Sequence, residues 1–179
     1  MRPTSHQTES VTVDWAEVYR STYGELVRFL HRKVWDADRA QDLAQEAFAR
    51  ALPHAPENPR AWLFRVALNL ARDEARLVVR RKKHLTLLRQ EAEMAESAVP
   101  QASAAAEQND RMERMREALE RLTERDQTVL LLWNAGLSYA EIAEQTGLAR
   151  GAVSTTLARA LKRLTDANNA LEGEHAARG

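Results

Sequence analysis

The stretch 138–163 constrains this chain more than any other, because it supplies each backbone device that two short helices need to cross at a tight turn. Ser138-Tyr-Ala-Glu141 has the form of a capping box, in which the Ser and Glu side chains each satisfy a free N–H of the first turn. Ile142 and Ala143 lie on the helix that follows, and Gly147 ends it where a left-handed residue is required. A second helix then carries Val153, Leu157, Leu161 and Leu164 on one side. The small Ala143 lets the helices approach, Gly147 turns the chain, and the branched Val153 locks one helix on the other. This spacing predicts a helix-turn-helix of the kind that enters the major groove of DNA.

Turning the second helix by about 100° per residue decides which side chains face a groove. Thr155, Ala158, Arg159 and Lys162 point away from the apolar side, with Arg150 and Ser154 on its flanks. Arg159 is the candidate for a bidentate contact to guanine. Ser154 and Thr155 suit a base edge or a phosphate, while Lys162 and Arg163 suit phosphate, which supplies affinity rather than specificity.

Only six Gly and five Pro interrupt the 179 residues, and Ala, Leu, Glu and Arg are abundant, so an all-α chain is expected. There is no Cys, which excludes disulfides and thiolate metal sites and fits a reducing cytoplasm. No apolar run approaches the roughly 20 residues that span a bilayer, and the polar residues 1–12 lack the apolar stretch of a secretory signal. A soluble cytoplasmic protein with a disordered N-terminus is expected. The formal net charge is zero, yet the segment 60–89 holds nine Lys/Arg against Asp73 and Glu74, and 90–110 holds five acids and no base. Distribution, rather than the sum, is what bears on nucleic acid.

Helical periodicity divides the chain into two small domains. Asp14 with Glu17 opens a first helix carrying Trp15, Val18, Tyr19, Leu26, Phe29 and Leu30. Asp38 with Gln41 is expected to start a second, with Leu43, Ala47, Phe48, Ala51 and Leu52 inward, ending before Pro53. Three prolines between 53 and 59 force a loop; Asn58 then caps a helix with Pro59 at its first position. That helix is expected to reach about Lys83, with Leu63, Val66, Leu70, Leu77 and Val78 inward. Residues 13–84 thus form the first domain, and 85–109, broken by Pro100, the linker. Residues 110–167 form the second, opening on Asp110 and Glu113 with Met112, Met115, Leu119 and Leu122 inward, and 168–179 are expected to be a tail.

At this point the residues resemble the extracytoplasmic-function sigma factors of the sigma-70 family over nearly the whole chain outside the linker. The stretch 122–147, beginning Leu122-Thr-Glu-Arg-Asp-Gln, looks like the start of that family's region 4. Asp42-Leu-Ala-Gln-Glu-Ala-Phe is similar to its region 2.2, and Pro59-Arg-Ala-Trp-Leu-Phe-Arg to regions 2.3 and 2.4. The resemblance implies core RNA polymerase as partner, with region 2 on the β′ clamp helices and region 4 on the β flap. It implies promoter DNA as the second partner: single-stranded at the −10 element, double-stranded at −35. Asp42, Gln45 and Glu46, on the polar side of their helix, would meet the polymerase. Trp62 would stack an extruded base, with Asn69 as a polar group beyond it, and Arg65, Arg72, Arg76, Arg80 and Arg81 would track the backbone. An anti-sigma partner is compatible with the long linker. The chain departs from the family in its recognition helix, where Ala149 holds the cap position and Ser154 and Thr156 replace the usual Lys or Arg.

The competing reading is a free-standing helix-turn-helix regulator of duplex operators, which would need neither the helix around 42–52 nor Trp62 beside a basic helix. No metal cluster, phosphate loop or nucleophile constellation is legible, so neither an enzyme nor a cofactor nor a small-molecule substrate is expected.

Overall fold

The computed structural model describes the backbone of residues 13–89 and 104–176 and the side chains of 13–78 and 110–174, and all of its regular elements are helices. They are α1 (Trp15–Val34), α2 (Ala37–Ala51), α3 (Pro59–Arg89), α4 (Ala104–Glu120), α5 (Glu124–Asn134), α6 (Tyr139–Thr146) and α7 (Arg150–Ala176). The N-terminal residues 1–12 and most of the stretch read as the linker lie outside the described residues.

α1, α2 and α3 pack on one another around Leu26, Phe29, Leu30, Leu43, Ala47, Leu63, Phe64 and Leu68, all fully or almost fully buried. Asp14 starts α1 by accepting hydrogen bonds from the Ala16 and Glu17 amides at 3.0 Å. The helix ends on Trp35, a non-glycine residue in the left-handed region (φ 56°) whose amide bonds back to the His31 carbonyl. That reversal leaves Asp36 extended, and Asp36 rather than Asp38 becomes the cap of α2, accepting from the Arg39 amide at 2.8 Å. Asn58 caps α3 as expected, its Oδ1 accepting from the Ala61 amide at 3.0 Å.

In the second group, α4 and α5 pack on α7, with α6 against α5 and α7. Ile142, Val153, Leu157 and Ala160 close the helix-turn-helix, and Ser138 and Glu141 form the reciprocal capping box. Gly147 (φ 70°) makes the turn. α4 begins at Ala104, so Asp110 and Glu113 lie inside a helix instead of opening one. α7 runs on through the stretch read as a tail, where Leu171 is buried and Glu174 pairs with Arg121 at 3.3 Å.

Several residues expected inside are at least a third exposed: Leu52, Leu77, Val78, Met112, Met115, Leu161 and also Tyr19. Tyr19 nonetheless keeps ring contacts with Tyr23 and Phe48. Leu52 follows the last turn of α2, Leu77 and Val78 lie beyond the three-helix packing, and Ala160 takes the inward position beside Leu161. Conversely, Thr128 is fully buried and its hydroxyl has no hydrogen-bond partner among the described residues. Thr128→Val keeps the branched shape and removes an unsatisfied polar atom, so it is expected to stabilise the protein by about 1 kcal/mol in urea denaturation.

Candidate nucleic-acid interface

The outward side of α7 is open. Arg150, Ser154, Thr155, Ala158 and Arg159 are exposed, and Arg159 makes no hydrogen bond or ion pair among the described residues. Two of the cations read as phosphate contacts are engaged within the protein. Lys162 pairs with Asp166 at 2.9 Å one turn on, and Arg163 bonds the almost fully buried Asp126 of α5. Arg163 thus also fastens α7 to α5, a role its position beside Lys162 did not disclose. α7 starts at Arg150 with Ala149 before it, so its first turn has no side-chain cap of the Ser or Asp type.

A second face lies along α3. Trp62, Arg65, Asn69, Arg72 and Arg76 follow one another three or four residues apart and so form one stripe. Trp62 is half-buried: its ring leans on His54 (centroids 5.1 Å apart) and Trp15 (6.5 Å), leaving the rest toward a small cleft. Pro56, Asn58, Ala61 and Arg65 line that cleft with it. Asn69 and Arg76 are exposed, Arg72 half-buried, and Arg76 approaches Asp73 at 3.3 Å. The side chains of Arg80 and Arg81 lie outside the described residues.

On α2, Asp42 and Gln45 are exposed and Glu46 half-buried, opposite Leu43, Ala44 and Ala47. Arg39 stands between Asp42 (3.6 Å) and Glu74 of α3 (2.7 Å), and Arg50 pairs with Glu46. The acidic and amide face is therefore accessible but partly neutralised.

What sequence reading missed is that the α3 face meets α5 and α6 of the second helical group. Arg60 reaches from α3 to the C-terminal end of α5, donating to the Ala135 carbonyl and, at 3.5 Å, to that of Gly136. This end of a helix carries unpaired carbonyls and the negative pole of its dipole, so a guanidinium is well placed there. Gly136 is left-handed (φ 79°), and a Cβ on it would stand 3.4 Å from that guanidinium. Beyond it, Asn58 Nδ2 donates to Glu141 at 2.6 Å, and Gln145 Nε2 donates to the Ala61 carbonyl at 3.0 Å. Arg65 pairs with Glu144 at 2.9 Å and Arg72 with Glu124 at 3.0 Å. These partners are 52 to 84 residues apart in the chain, beyond any local pattern.

Glu141 belongs to both the capping box and this junction. Burial alone would raise its pKa, but hydrogen bonds from the Ser138 side chain and backbone and from Asn58, with the charge of Arg60, hold the carboxyl below the usual range. A carboxylate held down in the folded state stabilises it above the ordinary glutamate pKa, and that contribution disappears as pH falls through the lower folded value. The stability difference between the native chain and Glu141→Gln is therefore expected to be full at neutral pH and to shrink below about pH 4.3. Denaturant titration of both proteins across that range measures it.

An all-helical fold that sets a helix-turn-helix beside an aromatic and basic helix face has the features of a DNA-binding protein, and comparison with known proteins gives the family. The sigma-70 region 2 family matches residues 18–81 and the sigma-70 region 4 family residues 112–164. The chain is similar to RNA polymerase sigma factor YlaC of Bacillus subtilis, at 30% identity over 80% of this chain and 86% of that one. It is also similar to the ECF RNA polymerase sigma factor SigL of Mycobacterium tuberculosis, at 32% identity over 83% and 88%. Among solved structures it shares its fold with CnrH, seen in complex with the cytosolic domain of CnrY (TM-score 0.63, 23% identity, 87% and 88% covered). The Bartonella quintana sigma factor RpoE, in complex with the anti-sigma factor NepR, is another (TM-score 0.59, 21% identity, 86% and 96% covered). The chain belongs to the ECF sigma factors of the sigma-70 family and functions as an alternative sigma factor. Region 2 precedes the helix-turn-helix, and a free-standing regulator would not carry it. No helix among the described residues is long and apolar enough to cross a membrane.

Proposed function

We propose that the two faces divide promoter reading between them, in the cytoplasm and without catalysis by this chain. Residues 13–84 take the −10 element and core polymerase, 110–167 take the −35 duplex, and 85–109 join them. On α3, Trp62 stacks a base drawn out of the non-template strand, Asn69 offers it a polar partner, and Arg65, Arg72, Arg76, Arg80 and Arg81 follow the phosphates. On α7, Arg159 reads a base edge, Ser154 and Thr155 bond bases or phosphates, and Arg150, Lys162 and Arg163 contact phosphate beside the small Ala158. Asp42, Gln45 and Glu46 meet basic residues of the polymerase. The two solved neighbours are each bound to another protein, and the proposal extends to an anti-sigma partner for this chain.

The observation that carries this reading is Trp62, partly buried beside a cleft at the head of a basic helix, on the same chain as an open recognition helix. Arg159→Ala is expected to cost about 1–3 kcal/mol of discrimination at one −35 position, measured as holoenzyme binding to duplexes varied base by base. Uniform weakening across all sequences would make Arg159 a phosphate contact instead.

A further inference from the structure

A cleft of about 980 Å³ opens between α1, α3 and the start of α5, sharing no lining residue with the cleft beside Trp62. One apolar core runs through both helical groups, so the walls of this cleft belong to a single packed body. Four cations line it: Lys33 near the end of α1, Arg72 and Arg76 one turn apart on α3, and Arg125 in the first turn of α5. Against them stands the one carboxylate of Glu124, which is already paired with Arg72 at 3.0 Å. Lys33 is half-buried and makes no hydrogen bond or ion pair among the described residues. Burial holds its ammonium below the ordinary lysine range, with Glu124 pulling it back up and Arg72 pushing it down. The first turn of α5 also brings the positive pole of that helix to the cleft. Thr128, one turn further along, lines the cleft too; it is fully buried and its hydroxyl has no partner among the described residues. A buried polar atom left in this way calls for a bound water or ion.

The geometry points to a binding site for a small molecule that carries a diphosphate or triphosphate group, held between α3 on one side and Lys33 and Arg125 on the other. Guanidinium groups fork onto phosphate oxygens, and a lysine meets them as a point charge. Cations drawn from three helices outnumber what one phosphate can use, so a chain of phosphates fits them better. Among the described lining residues there is no aromatic and no long aliphatic side chain, and Ala71 and Ala75 leave room beside the arginines. That lining suits a polyanion and offers little to an apolar ligand. A DNA strand laid along α3 would follow the stripe from Trp62 to Arg76. An occupant that also meets Lys33 and Arg125 sits between walls instead, which favours a free small molecule. The site does not depend on the promoter assignments, because Lys33 and Arg125 belong to neither DNA face.

The probes are inorganic pyrophosphate and tripolyphosphate, titrated calorimetrically into the full chain at low salt without divalent cations. One equivalent of each is expected to bind, tripolyphosphate the more tightly. Lys33→Gln and Arg125→Gln are each expected to weaken pyrophosphate about tenfold, the loss of one charged contact. Arg125 is exposed, so its replacement leaves the fold intact even where that of the half-buried Lys33 does not. Arg111→Gln makes the same change of charge on an exposed residue of α4 outside the lining, and binding should stay within about twofold. In the native chain, pyrophosphate should shift the amide resonances of Ala71, Ala75 and Thr146, which line the cleft, and leave the outward side of α7 unmoved. No binding at millimolar pyrophosphate would overturn the proposal, as would equal weakening by Arg111→Gln or shifts spread over α4 and α7. It also falls if pyrophosphate fails to bind while a randomised pool of single-stranded deoxyoligonucleotides binds through Lys33 and Arg125, since the cleft would then be part of a DNA track.

Discussion

Phe64→Ala is expected to cost about 3–5 kcal/mol, a large fraction of the stability of a protein this size. Phe64 is fully buried, and its ring meets Phe29 edge-on at 5.2 Å. The Arg60 guanidinium lies 5.3 Å from the ring centroid, so the same ring also seats the side chain that reaches the end of α5. The loss should therefore exceed that of an ordinary core aromatic and extend to the docking of the second group. Thermal or urea denaturation measures it, and Phe64→Leu should recover more than half. A loss below about 1 kcal/mol would mean that the three-helix core does not centre on this ring.

Trp62→Ala is expected to act on DNA rather than on the fold. Replacing a stacking aromatic costs about 1–3 kcal/mol per base, roughly ten- to a hundredfold in the equilibrium for promoter melting. Trp62 lies at the edge of the core, partly buried, and its neighbours His54 and Trp15 hold each other, Trp15 Nε1 donating to the His54 carbonyl at 3.2 Å. Stability should fall much less than for Phe64→Ala, −35 duplex binding should not change, and Trp62→Phe should restore most of the melting. A variant that unfolds easily yet melts promoters normally when folded would make Trp62 a core residue.

Much of this architecture was legible before the structure because it is local. Ser138, Glu141, Gly147 and Val153 each answer a backbone requirement within a few residues, and the helix-turn-helix follows from them. The stripe from Trp62 to Arg76 follows from helical spacing alone. Helix ends were less legible, since Asp36 and Asp38 are both competent caps and only the left-handed Trp35 decides between them. The exposure of Leu77 and Leu161 depends on which positions the neighbouring helices cover, which periodicity does not register. The junction was the least visible. Glu124 and Glu144 look like solvated charges on amphipathic helices, and nothing nearby in the chain points to Arg72 and Arg65. Arg163 shows the same limit from the other side, a surface cation by pattern that is tied to a buried carboxylate in the fold.

The most direct measurement is transcription with purified core RNA polymerase. The protein and core together should initiate at a subset of promoters, each alone at none, and the two should co-elute. A protein that binds duplex DNA tightly by itself, never co-elutes with core and starts no transcript would contradict a sigma-factor role.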